Sequence, residues 1–499
     1  MALRFLPSLL LSALLLAPRP LWAQEAVDWP NAVLAWLERF NGAREASSLT
    51  VEGLTFDPAL GPETRVAFER ILLTGLGPAA LAAGPGALTL RAGPGGTVRF
   101  GDLALTGPVT LGADAAAGAG DEGVGGGGAW NEGVGEAQLA LERLAGAWEP
   151  GRGSLSSLEL AGKDLLLRRG SGETRLQARS LELEHATEPA AHGRLDQTTR
   201  LSLEGLSGRA EGGEDFAVEG LLAELSLLEV DGDALAAWAE RVAAARQDHD
   251  PDALPPLQSL WRQASLRVRF DRAESRDPDG GLAQRVEEMR IEAGLERGAE
   301  RGLLSLSLLL AGSGLEAGGG QAPPRNVALT LLPERWRLPL AIEGVPDRPL
   351  RQLLLDLAAG ATLQRGPVID PEKRVDLDPF LGALRRAGTT LAVEGLLLEG
   401  AHSGLAGGGR LTLSPALPFG GFGALDLTLR GLDAAQEALR GSDDPTAARI
   451  AFFLTTLVKG LGKPEVGAEG GIVYRYSLEL GRDGSATLNG LPLAGLLNR

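Results

Sequence analysis

No cysteine occurs among the 499 residues. Its absence excludes disulfide staples, thiolate metal sites, thiol nucleophiles and a lipidated cysteine. Histidine is nearly as scarce: His185, His192, His249 and His402 are the only imidazoles. No two of them stand at a metal-binding spacing, and no Gly-x-Ser-x-Gly elbow is present, so neither a zinc site nor a Ser-His-Asp triad is nominated. Aromatic residues make up 4% of the chain, too few and too scattered for the stacking groove a carboxylate-based glycoside hydrolase would need. Lysine is confined to Lys163, Lys373, Lys459 and Lys463, so nearly all positive charge is arginine. The formal net charge is −17. With no basic block evident, nucleic acid and anionic headgroups are poor partners for the surface as a whole. No long internal apolar run occurs either. The best, Ile450 to Leu461, is broken by Thr455, Thr456 and Lys459. It suits a buried or amphipathic helix and predicts no internal transmembrane span.

What is present begins with an export signal. Arg4 supplies a positive end, Leu9 to Ala17 is apolar but short for a span, and Leu21-Trp22-Ala23 offers a cleavage site before Gln24. Residues 1–23 are therefore expected to be a signal peptide and the protein exported. The alternative is an uncleaved N-terminal segment anchored in the inner membrane.

After a short helix opened by Asp28-Trp29-Pro30, hydrophobic periodicity switches to two. Apolar pairs such as Val98/Phe100, Leu158/Leu160, Leu201/Leu203, Leu304/Leu306 and Val327/Leu329 alternate with polar residues, at a spacing that favours antiparallel meanders. One phrase recurs five times: Val51-Glu52-Gly53-Leu54, Leu203-Glu204-Gly205-Leu206, Val218-Glu219-Gly220-Leu221, Ile342-Glu343-Gly344-Val345 and Val393-Glu394-Gly395-Leu396. Its glycine predicts a bulge or bend in a strand, and its glutamate a water-facing position. Helices are expected at Asp233 to Arg246, Pro349 to Ala358, Asp378 to Ala387, Asp433 to Arg440 and 446 to 461, and a closing hairpin turns at Arg482-Asp483-Gly484. The glycine-rich stretch Gly112 to Gly135 reads as a flexible excursion, since no Gly-Lys-Ser/Thr follows it. The predicted fold is mainly β (α+β), with long curved antiparallel sheets in two similar lobes, 24–250 and 251–499, and peripheral helices.

Chemistry is not nominated by any residue. Asp231-Gly232-Asp233 and Asp277-Pro278-Asp279-Gly280 lack the remaining ligands of a calcium loop and read as a helix cap and a turn. No catalytic, cofactor-binding or metal-binding residue is assigned, and no cofactor is implied.

The phrases at 391 to 398 (Leu-Ala-Val-Glu-Gly-Leu-Leu-Leu), 425 to 433 (Leu-Asp-Leu-Thr-Leu-Arg-Gly-Leu-Asp) and 484 to 493 (Gly-Ser-Ala-Thr-Leu-Asn-Gly-Leu-Pro-Leu) resemble uncharacterised periplasmic β-repeat proteins of Gram-negative bacteria, AsmA-like in style. The resemblance implies an envelope protein with a long curved sheet, in some relatives associated with lipid movement or outer-membrane homeostasis, and makes the periplasm the expected compartment. The expected function is non-catalytic, with an apolar groove and lipid as partner. An interaction scaffold using exposed strand edges to bind an envelope protein is the second expectation, and a carboxylate-based hydrolase the third.

Overall fold

The computed structural model describes residues 29–40, 49–56, 63–73, 80–93, 96–105, 109–112, 136–149, 154–168, 174–209, 215–232, 250–276, 282–298, 302–317, 333–358, 377–401, 403–440, 445–467 and 470–493, with Ala234, Leu235, Trp238, Arg241 and Glu300. The signal segment, the glycine-rich stretch after Gly112, the strand expected around Val327, the Asp277 turn, His249 and His402 lie outside them. The protein is mainly β, with long antiparallel strands in open, curved sheet and a few helices. It divides into two compact units: Met1–Arg209 with Gly220–Leu266 and Arg351–Val375, and Ala210–Glu219 with Arg267–Leu350 and Asp376–Arg499.

In the first unit, helix α1 (Trp29–Phe40) precedes eight short strands: β1 (Leu49–Glu52), β2 (Thr55–Phe56), β3 (Glu63–Phe68), β4 (Arg70–Leu73), β5 (Ala80–Ala83), β6 (Gly86–Ala92), β7 (Val98–Leu105) and β8 (Val109–Gly112). Four long strands follow: β9 (Glu136–Glu149), β10 (Ser154–Arg168), β11 (Thr174–Pro189) and β12 (Leu195–Arg209). The short strands form two ribbons, β1-β4-β5-β8 and β2-β3-β6-β7. Both ribbons end on β9, whose outer edge pairs with β8 at Leu139 and with β7 at Trp148. Helix α1 packs against β1 and β7, one strand from each ribbon. Trp36 is wholly buried there, 5.9 Å from the Phe100 ring. At Gly146 on β9 a β-carbon would collide with that ring, so glycine is what lets Phe100 lie across the strand.

Strand β13 (Asp215–Val230) leads to helical residues that include the buried Leu235 and Trp238. Their cap is Asp231, whose Oδ1 accepts from the Ala234 amide at 3.0 Å. The sequence reading began this helix at Asp233; the cap falls two residues earlier because an N-cap carboxylate reaches the amide three residues on. Proline-rich residues 250–256 then form a packed 3₁₀ turn, capped by Asp250 on the Asp252 amide at 2.9 Å. Helix α2 (Leu257–Leu260) and strand β14 (Gln263–Arg276) follow.

The second unit contains a meander. Strands β15 (Leu282–Arg297), β16 (Leu303–Ser313), β17 (Glu316–Ala317) and β18 (Arg335–Pro346) lead to helix α3 (Asp347–Ala358), which belongs to the first unit from Arg351 onward, and then to α4 (Asp378–Ala387). Strands β19 (Thr390–Glu399), β20 (Gly404–Leu413) and β21 (Gly421–Arg430) precede helices α5 (Leu432–Arg440) and α6 (Pro445–Leu461), and β22 (Lys463–Val466), β23 (Ile472–Leu480), β24 (Ala486–Leu488) and β25 (Leu491–Pro492) close the chain. Pairing runs β15-β16-β18-β19-β20-β21-β23-β24-β25, antiparallel throughout.

Four of the five Glu-Gly phrases place the glycine at positive φ: 64° at Gly53, 61° at Gly205, 79° at Gly344 and 79° at Gly395. Register slips at the last two, where the glycine is the extra residue of a bulge. The bulge at Gly344 turns its carbonyl to the buried Thr389, whose hydroxyl donates at 2.9 Å. Thr389 directly follows the left-handed cap of α4, Gly388. The bend thereby anchors a helix to the end of the sheet.

Candidate functional site

Register assigns each side chain of the second unit's sheet to a face, since directly paired residues point the same way. One face is built of apolar rows. Leu295, Leu306, Ile342, Leu391 and Leu411 lie in one cross-strand line. Ala293, Leu308 and Leu340 lie in the next, and Val393, Gly409, Leu425, Leu478 and Leu488 line up across the later strands. A further line holds Leu398, Leu405, Leu429 and Tyr474. No charged residue interrupts these rows.

The opposite face carries the charge. Arg410 pairs with Glu343 at 3.4 Å and Glu394 at 3.8 Å, and Glu399 receives both Arg335 at 2.5 Å and Arg430. The glutamates of the recurring phrase therefore sit on the wet side of the sheet; elsewhere Arg70 meets Glu52 at 3.6 Å and Arg272 meets Glu219 at 2.7 Å. Among the described residues, no three acidic or imidazole side chains are grouped to hold a metal ion.

Helices cover the apolar face at its ends. Near α4, Leu304 and Val345 are fully buried, with Leu384 of the helix nearly so. Near α5 and α6, Leu432, Tyr474 and Tyr476 form a cluster joined by Val458, Leu427 and Leu429. Between these ends, the leucine rows are only half-buried. Leu308 is 45% exposed and Leu338 37%.

The first unit's long strands present an apolar face of the same grammar, and there it is closed. Phe100, Gly146, Leu158 and His185 are aligned across β7, β9, β10 and β11, and Leu144, Leu160 and Leu183 across β9 to β11. All but Gly146, which has no side chain, belong to the buried set. That line ends in polar groups. His185 accepts or donates through Nδ1 to Thr199 Oγ1 and through Nε2 to Thr187 Oγ1, each at 3.0 Å. Burial pushes the imidazole down to about 4. Beside Thr187, Gln197 is buried with its Nε2 lacking a hydrogen-bond partner. His192 lies in a 3₁₀ turn, whereas His185 is an interior strand residue. The signal was in its phase, two residues on from Leu183 and four from Leu181.

Fold and face together define an antiparallel β protein with one closed apolar face and one open one. Compared with family models, curated proteins and solved structures, the chain matches none. No helix among the described residues is long and apolar enough to cross a membrane.

Proposed function

We propose that the chain acts without catalysis, as an exported envelope protein whose second-unit sheet shelters an acyl chain or a similar apolar ligand. The observation that carries this reading is the exposed leucine face, with Leu308 exposed between Ala293 and Leu340 in its row and Leu338 exposed at the β18 end of the Ile291-Leu310 row. Burial of such surface is favourable by about 25 cal/mol per Å². A contiguous exposed apolar patch of this kind characteristically marks a binding surface. Because the rows offer no charge, and no hydrogen-bonding side chain besides Tyr474 under the helices at one end, recognition falls on the ligand's hydrocarbon rather than on a headgroup. The leader at Leu9 to Ala17 and the likeness to periplasmic β-repeat proteins support an envelope location, where acyl chains are the abundant apolar ligand.

Native mass spectrometry after gentle purification, paired with titration of a fluorescent fatty acid, tests the proposal. Lipid adducts are expected, and Leu308→Ser with Leu338→Ser should weaken probe binding about tenfold. Recovery without lipid, together with no response to added phospholipid, would sink it.

A further inference from the structure

Helix α6 is an exception to the acidic character of the chain. From Pro445 to Pro464 there is no Asp or Glu, while Arg449, Lys459 and Lys463 are all present, two of them among the four lysines of the whole sequence. Two sides of the helix are accounted for. Toward α5, Gln436 Nε2 donates to Thr455 at 3.3 Å and Thr456 at 3.0 Å, and Lys459 pairs with Asp433. Toward the sheet, Val458 packs on the Tyr474 and Tyr476 cluster, Tyr476 Oη donates to the Val458 carbonyl at 2.8 Å, and Asn489 Nδ2 to that of Leu461 at 2.8 Å.

A third side faces outward and is apolar. Phe453, Leu457 and Leu461 recur every four residues and so form one stripe, exposed by 65%, 49% and 38%. Phe452 adds to it, and beside Gly460 the space is open. The neighbouring cations Arg449 and Lys463 are exposed.

We infer that α6 is an interfacial helix that seats the protein on an anionic lipid surface, with the Phe453-Leu457-Leu461 stripe entering the headgroup boundary and Arg449 and Lys463 meeting lipid phosphates. Aromatic and leucine residues on one face with basic residues beside them are the composition such helices use. At physiological salt a charge is screened beyond about 8 Å, so the net charge of −17 matters less than the charges near the helix, where Asp433 is paired with Lys459 and Glu465 with Arg475, and Asp443 and Asp444 precede the helix in the sequence. The net charge and the lack of a basic block make anionic headgroups poor partners for the surface as a whole, and the exposed helix is a local exception. The inference is independent of the leucine face, and its test reads a different surface.

The absence of cysteine permits a clean experiment on the full chain. An environment-sensitive fluorophore is attached at Leu461→Cys, at the end of the stripe, or at Glu394→Cys, on the wet face of the sheet. Vesicles of phosphatidylcholine with phosphatidylglycerol should shift the Leu461→Cys emission to the blue and leave the Glu394→Cys emission unchanged. The shift should fall about tenfold in apparent affinity with Phe453→Asp, and severalfold with Arg449→Glu plus Lys463→Glu. Thermal unfolding midpoints of these exposed-site variants should match the parent. Because the probe reads the helix itself, insertion of the N-terminal leader alone would leave it silent. No shift with anionic vesicles, an equal shift with phosphatidylcholine alone, or indifference to Phe453→Asp would overturn the inference. So would a shift that grows with protein concentration in the absence of vesicles, which would mean that a second copy of the chain covers the stripe.

Discussion

The two units build their apolar faces from the same alternating grammar and treat them differently. In the first, two ribbons diverge from β9 and hold α1 between them, so that Trp36, Phe100 and Leu158 have neighbours on every side. In the second, a single meander has helices near its ends, and among the described residues no element covers the middle of the face. Branching into two multi-strand ribbons is what separates them; in the second unit the doubled edges, β15 with β16 and β17 and β23 with β22 and β24, add only the short strands β17, β22 and β24. A strand that pairs with two others along one edge forces the sheet to part, and the parted layers can enclose a core. A strand that pairs once per edge propagates a single layer, which leaves one face bare unless something else is laid upon it.

The largest expected effect tests that contrast directly. Leu158→Ala empties a fully buried site on the first face and should cost about 2–5 kcal/mol, whereas Leu308→Ala removes a side chain that is 45% exposed and should cost less than about 1 kcal/mol. Urea unfolding of both variants measures the difference. Equal losses would mean that the second face is as well covered as the first, and the proposed ligand surface would go with it.

Acidification sharpens the same contrast, because the first face ends in a buried imidazole and no histidine is among the described residues of the second unit's sheet. The folded-state pKa of His185 lies at about 4 against 6.5 in the unfolded chain. Between those values the unfolded chain takes up a proton that the folded chain refuses. The contribution of a neutral His185 is therefore whole above pH 6.5 and is lost progressively as pH falls toward 4, approaching about 3 kcal/mol. His185→Gln should flatten that part of the stability profile relative to the parent, read as unfolding midpoints from pH 7 to 4. A variant with the parent's slope would show that the imidazole is not held neutral by burial.

Much of the fold was legible in the sequence because period two and period 3.6 are local signals. Helix α4 falls on Asp378 to Ala387, with Pro379 in its first turn and Gly388 closing it, and the closing hairpin pairs Leu480 with Ala486 around the Arg482-Asp483-Gly484 turn. Strand β15 went unassigned. Its Glu, Arg, Met and Ala favour helix, yet Met289, Ile291, Ala293 and Leu295 alternate, and pairing along β16 decides the outcome. The candidate site was not legible. Leu158 and Leu308 sit in the same kind of alternation, and what buries one and exposes the other is the branching at β9, a long-range pairing that no local pattern encodes. Exposure of α6 was hidden for a related reason, since an apolar run reads alike whether its outer stripe is covered or free.

The smallest effects concern the two halves of the recurring Glu-Gly phrase. At Gly395 the β-carbon of alanine would have room, with its nearest neighbour an Arg337 nitrogen at 3.9 Å, but φ stands at 79°. Gly395→Ala should therefore cost about 1–2 kcal/mol through the backbone alone. Its neighbour Glu394 is far exposed and lies 3.8 Å from Arg410, so Glu394→Gln should change stability by less than about 0.5 kcal/mol. The same substitution should leave binding of the fatty-acid probe unchanged, because the carboxylate is on the face away from the leucines. If instead Glu394→Gln weakened probe binding and Gly395→Ala were silent, the acid would be the functional half of the phrase and the glycine incidental. The contrast between a charged wet face and an apolar binding face would then have to be reversed for the second unit.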